Sequence, residues 1–209
     1  MIDPTSTTAL TLLGTQLPAA VFALILVVTR RHPRISAALS IAAVSVTLLC
    51  ALGLLARHWH LEAPIRFTVR WMVSGDVEIL FGYFLDPVSL LMLTTVAGIC
   101  FLVQIYSLGY MAGDPGFARY YAYMSLFAWA MTSLTIAPNL LQLYIFWELV
   151  GLASYLLIGF WFEKFSASEA GKKAFVMTRT GDVAFFLGLI LLLMHGSSLD
   201  IETLNQPAG

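Results

Sequence analysis

Apolar residues along this chain gather into long unbroken runs, unlike the alternations and one-faced stripes of a water-soluble fold. A span of the bilayer's hydrocarbon core takes roughly 20 residues of helix. Six runs of about that length predict membrane helices near residues 9–28, 36–56, 84–111, 118–137, 139–161 and 170–195. The third run is long, which predicts a tilted span or an extension into the interface. Between the second and third runs the pattern changes. RFTVRWMV (66–73) alternates polar and apolar residues, Gly75-Asp76 is a turn signal, and VEILF (77–81) follows, so a short β-hairpin near 65–82 is expected on the outer surface. Pro138-Asn139 marks a very tight connection between spans four and five. Asp86 before Pro87 reads as an N-cap followed by a first helical residue. The expected fold is an all-α membrane protein of about six transmembrane helices. Its expected organisation is two spans plus the hairpin over 1–83, four spans over 84–195, and an outer loop over 196–209, where the chain stops although another span is expected.

Composition agrees with this pattern. Of 209 residues, 59% are hydrophobic and 11% charged, against about 25% charged in a soluble domain. A net charge of -1 with no basic run argues against a nucleic-acid partner. Cys50 and Cys100 each lie inside an apolar run and are expected as buried thiols, with no spacing that fits a disulfide or a zinc site. The start, Met1-Ile2-Asp3-Pro4-Thr5, lacks the basic region of a cleaved signal, so the first run is expected to be a retained span. With the N-terminus outside, the inner loops hold Arg30, Arg31, Arg34, Arg119, Lys164, Lys172 and Lys173, and the outer segments hold Arg57, Arg66 and Arg70. Seven inner cations against three outer ones favour that orientation.

The charges inside the runs change the picture most. Glu148 is the ionisable residue within 140–161, about 12 Å into its helix at a rise of 1.5 Å per residue. Carboxylates at such depth are costly unless protonated, paired or hydrated, and so point to function. The next run carries Lys173, Arg179 and Asp182, read as one helical stripe that also passes close to Lys172. Asp182 lies about 18 Å into that run, and Arg179 and Asp182, at i and i+3, can neutralise each other. Acids and bases on adjacent spans resemble parts of a proton path. The structural alternative is a set of satisfied ion pairs for Arg179 and Asp182, topology anchors for Lys172 and Lys173, and a protonated, hydrogen-bonded Glu148. His58 and His60 have the spacing of two metal ligands on a strand but no third follows, so both are expected at the surface, while His195 lies near the outer end of the sixth span. Trp129, Trp147, Trp161 and Tyr155 are expected to be lipid-facing or interfacial.

Four segments carry a family resemblance: FLDPVSLLML (84–93), IYSLGYM (105–111), WELVGLASYLLIGFW (147–161) and KAFVMTRTGD (173–182). Together they resemble the antiporter-like proton-pumping subunits, and among these the L-subunit family of bacterial NADH–quinone oxidoreductase, respiratory complex I, whose mitochondrial relative is subunit 5. The resemblance covers about residues 80–195, and residues 1–79 agree in hydropathy more than in motif. It implies that Glu148 corresponds to a fifth-helix glutamate that pairs with a lysine on a seventh helix, and that Lys173, Arg179 and Asp182 correspond to charged sixth-helix positions. One departure is Gln104, where the family usually has histidine. Another is length: the family has about three times as many residues, so this chain corresponds to an incomplete first inverted repeat.

The resemblance implies a proton-translocating membrane subunit that couples quinone reduction elsewhere in the complex to proton movement through Glu148, Asp182, Arg179 and Lys173. No cofactor is expected in this chain; NADH, FMN, iron–sulfur clusters and quinone belong to the implied complex. Adjacent antiporter-like subunits and the lipid bilayer are the implied partners, and the bacterial plasma membrane the implied location. The competing readings are the large subunit of a multi-subunit Na+/H+ antiporter, the membrane partner of an inorganic-carbon uptake system, and a purely structural assembly subunit.

Overall fold

Helix α1, Pro4–Leu24, has a proline in its second half, Pro18, which lacks an N–H and therefore leaves the carbonyl four residues earlier without its helical donor. That carbonyl belongs to Gly14, and the Thr47 hydroxyl of α2 (Pro33–His58) donates to it at 2.6 Å. The absence of a side chain at Gly14 is what allows the approach, since a Cβ there would come 2.9 Å from the Cβ of Cys50. The helix continues beyond Leu24 as a π-helical turn, Ile25–Thr29. This computed structural model describes residues 4–60, 63–74, 77–196 and 198–204; the expected Gly75-Asp76 turn lies outside them, as do residues 205–209 of the expected outer loop.

After α2 come strands β1 (Ile65–Ser74) and β2 (Val77–Leu85), an antiparallel pair running from Ile65↔Leu85 to Ser74↔Val77, with a register shift between Arg70 and Met72. Four long helices follow: α3 (Pro87–Tyr110), α4 (Phe117–Thr135), α5 (Leu140–Ile158) and α6 (Phe165–Gly196), then one short turn, α7 (Ile201–Leu204). The α3 start is the expected one. Asp86 accepts from the Ser89 backbone at 2.7 Å while the Ser89 hydroxyl accepts from the Asp86 backbone at 2.8 Å, closing a capping box. Residues 84 and 85, read as part of a long third span, belong instead to β2, and Asp86 and Met111 are the caps of α3, which together account for the extra length.

Five of the six long helices are long and apolar enough to cross a membrane; α4 is not among them. The reason is its position. It packs against α1, α2, α3 and α5, and buries Ala118, Tyr121, Ala122, Ser125, Ala128 and Thr132. A helix wrapped by other helices meets little lipid and can carry tyrosines and hydroxyls that pair internally. Ser40 on α2 does so: it donates to Gln104 Oε1 at 2.9 Å and meets Ser125 at 2.7 Å, while Tyr121 donates to the Gln104 carbonyl at 2.9 Å. Gln104 is thus a fully buried joint of α2, α3 and α4. In contrast α6 lies at the edge, packed on α5, with most of its apolar stretch exposed.

The hairpin lies over one end of the bundle, where Tyr83 and Leu85 join Leu54, Leu90, Leu93 and Ile136 in a core cluster. Strand β2 would present an unpaired edge on its far side. The α4–α5 corner covers it: Asn139 donates to the Leu80 carbonyl (2.7 Å), Gln142 both accepts from and donates to the Gly82 backbone (2.9 and 2.8 Å), and the Phe84 N–H bonds the Ile136 carbonyl (2.8 Å). Asn139 also caps α5 by accepting from the Gln142 N–H at 2.8 Å, so the tight Pro138-Asn139 connection serves helix and sheet together. Residues 199–201 close over the same corner through Leu140–Leu199 and Ile201–Pro138 backbone bonds and an Arg66–Asp200 ion pair.

Two further expectations are corrected. His58 is not at the surface: at the end of α2 it is 2% exposed, with Nε2 3.2 Å from the Thr7 hydroxyl, because α1 covers that end of α2; His60 is exposed as expected. Helix α6 begins at Phe165 rather than near 170, as its first turns are polar and exposed and an i,i+3 ion pair, Glu169–Lys172 at 2.9 Å, spans them. Cys50 and Cys100 are both buried.

Candidate functional site

Helices α5 and α6 are antiparallel neighbours, and the charges that were read on separate runs meet where they cross. On α6, Phe175, Arg179 and Asp182 follow i, i+4, i+7 and share a stripe. On α5, Glu148 and Gly151 are three residues apart and face that stripe. Arg179 Nη1 pairs with the Glu148 carboxylate and lies 3.8 Å from Asp182 Oδ2, and its Nη2 donates to the Glu148 main-chain carbonyl at 3.2 Å. The Phe175 ring lies under the guanidinium, 4.6 Å from its carbon. Gly151 presents bare backbone beside it; a Cβ there would approach Nη2 to 3.6 Å.

The expected Arg179–Asp182 neutralisation is therefore present, and it extends to Glu148. One guanidinium serves two carboxylates from two helices. The side chains are 31% (Arg179), 21% (Glu148) and 9% (Asp182) exposed, so the cluster is largely but not wholly withdrawn from its surroundings. Glu148 lies near the middle of the 19-residue α5, about 12 Å from its start.

Sequence reasoning missed one member. Trp147, expected as a lipid-facing aromatic, is half exposed but turns its indole N–H onto Asp182 Oδ1 at 2.9 Å. That contact fixes the second carboxylate oxygen while Oδ2 faces Arg179. Its one sequence signal is adjacency to Glu148, which gives no hint of the span it reaches.

Two lysines stand apart. Lys173 is exposed, with no ion pair among the described residues; six residues before Arg179, it lies about 240° around the helix and off the Arg179–Asp182 stripe. Lys172 is seven residues before Arg179 and shares its side of α6, but pairs with Glu169.

Comparison with known proteins bears on this arrangement. The family described as NADH-Ubiquinone oxidoreductase (complex I), chain 5 N-terminus matches residues 71–121, and that described as NADH:quinone oxidoreductase/Mrp antiporter, TM matches residues 137–208. Subunit 5 of the chloroplastic NAD(P)H-quinone oxidoreductase of Nephroselmis olivacea is 39% identical over 176 residues, 84% of this chain and 27% of that protein. Chain 5 of the NAD(P)H-quinone oxidoreductase of Synechocystis sp. is 42% identical over 178 residues, 85% of this chain and 26% of its own length. The chain thus spans about a quarter of the length of these relatives. A chain of the membrane-bound sulfane sulfur reductase, an archaeal respiratory membrane complex, shares the fold with a TM-score of 0.79 over 91% of this chain and 38% of its own, at 17% identity. Residues 71–121 are thus similar to the N-terminal region of complex I chain 5, and residues 137–208 to the transmembrane domain described for NADH:quinone oxidoreductases and Mrp antiporters.

Proposed function

We propose that this chain belongs to the proton-translocating membrane arm of an NADH–quinone oxidoreductase, and that Glu148, Arg179 and Asp182 move the proton. The observation that carries the reading is the sharing of Arg179 between carboxylates on two spans. An arginine keeps its charge at all accessible pH values, so protons travel on the carboxylates. With two acids and one base, one carboxylate is surplus to the pairing. A proton arriving on Glu148 releases the guanidinium toward Asp182, and its departure draws the guanidinium back. Trp147 holds Asp182 in place throughout, so the moving part is the arginine side chain. Lys173, exposed about 9 Å of helix rise from Arg179, is a station between the cluster and the end of the bundle that holds the α5–α6 connection.

In this reading the chain carries no redox group. Redox chemistry elsewhere in the complex supplies the free energy, neighbouring antiporter-like subunits flank the chain, and its N-terminus lies outside a bacterial plasma membrane. The correspondence with the L subunit is part of this proposal and rests on the four segments that carry the resemblance. The matched transmembrane description also covers Mrp antiporters, so a cation/proton antiporter subunit is the second reading. Proton pumping by the assembled complex carrying Glu148→Gln or Asp182→Asn tests the first. A fall in protons moved per electron at normal assembly is expected; reduced assembly with unchanged pumping per assembled complex would show that the charges are structural. Sodium-driven proton exchange without quinone reduction would favour the antiporter.

A further inference from the structure

The end of the bundle that gathers the α3–α4 and α5–α6 connections holds a second charged feature, separate from Arg179. Arg119, in the first turn of α4, sits between the rings of Phe160 and Phe162, its guanidinium carbon 4.9 and 5.0 Å from their centroids. Its Nη2 donates to the Phe160 carbonyl at 3.3 Å, and its buried Nε has no hydrogen-bond partner among the described residues. Asp114, a nearby acid, is engaged elsewhere: Oδ2 accepts from the Trp161 indole at 2.8 Å and Oδ1 from the Gly116 N–H at 2.7 Å.

Beside the guanidinium opens a cavity of about 210 Å³, lined by Arg119, Tyr123, Tyr155, Gly159, Phe160 and Ser168. Three hydroxyls thus share its wall with an arginine that forms no ion pair among the described residues. The two rings attract the guanidinium, but no carboxylate among the described residues lies within ion-pair distance of it, and a planar guanidinium is shaped for a bidentate oxyanion. At about 30 Å³ for each water, the space is large for a single carboxylate and suits a tetrahedral phosphodiester. The rim sets the depth. Trp161, Phe162 and Phe165 are exposed there, and the Lys164 ammonium lies 5.1 Å over the Trp161 ring; exposed aromatics beside lysine are the mark of the lipid headgroup region.

We propose that this cavity binds the phosphate of a phospholipid headgroup, with Arg119 as its principal ligand and Ser168, Tyr123 and Tyr155 as hydroxyl donors. The lipid would fill the mouth between α4, α5 and the start of α6. The test uses the intact membrane complex, delipidated in neutral detergent and titrated with phosphatidylglycerol, bound lipid being counted by native mass spectrometry. Wild type should retain the lipid, Arg119→Gln should bind it at least about tenfold more weakly, Arg119→Lys should fall between, and Ser168→Ala should weaken binding a few-fold. Equal lipid binding by wild type, Arg119→Gln and Ser168→Ala overturns the site. If Arg119→Gln fails to assemble, Ser168→Ala with Tyr155→Phe decides: weakened binding supports the site and unchanged binding overturns it. Inorganic phosphate at millimolar concentration should not displace the lipid. Displacement would assign a free anion instead, and a neighbouring subunit's carboxylate found on Arg119 would assign a protein contact; either result overturns the lipid site.

Discussion

Replacing Arg179 by glutamine removes the cation shared by two carboxylates, and its consequence can be estimated. Unit charges about 4 Å apart attract by about 4 kcal/mol at an effective dielectric near 20, the regime of the 3.8 Å separation to Asp182. Loss of hydration offsets much of that, and the exposure of Arg179 and Glu148, 31% and 21%, screens more. A net value of about 1–2 kcal/mol for each carboxylate is what remains. Arg179→Gln loses both pairs and leaves two acids facing each other, so the protein should lose about 3 kcal/mol of stability. Glu148→Gln keeps the Arg179–Asp182 contact and should lose about 1 kcal/mol. In the double variant the second change relieves a carboxylate already stranded by the first, so the losses should fall short of their sum by about 1–2 kcal/mol. Denaturant unfolding in mixed micelles, followed by tryptophan fluorescence, measures all four states. Losses that add within about 0.5 kcal/mol, the behaviour of independent sites, would refute the shared-arginine geometry.

Gln142→Leu strips both hydrogen bonds from the Gly82 backbone and should destabilise the hairpin by about 2 kcal/mol, seen as faster amide exchange across β2 with α3–α6 little changed. Thr47→Val leaves the Gly14 carbonyl without its donor, at a cost of about 1–3 kcal/mol. Adding Pro18→Ala restores an N–H to that carbonyl and should recover part of the loss in the same unfolding assay; no recovery would show that Thr47 matters for another reason.

Hydropathy made the long helices legible, and the alternation at 66–73 made the hairpin legible, because both follow from which environment each residue must meet. Three features were hidden for physical reasons. Helix α4 resembles the other spans in length but is shielded from lipid, so its tyrosines and serines reflect partners on other helices. The first turns of α6 are polar because they lie exposed, which made helix look like loop. The partner of Glu148 is 31 residues away on the next helix, and periodicity orders residues only within one helix. Arg179 and Asp182 were found together because i,i+3 is a local rule; Glu148 and Trp147 joined them only through the packing of α5 on α6. His58 was missed in the same way, since its burial comes from α1.

The central claim is that Glu148 exchanges a proton against Arg179 as the complex turns over, and infrared difference spectroscopy of the working complex tests it most directly. A protonated-carboxyl band should appear and disappear with turnover, vanish in Glu148→Gln, and shift in Arg179→Lys, where the fork that joins the Glu148 carboxylate and carbonyl is lost. A band unchanged in Glu148→Gln would contradict the account.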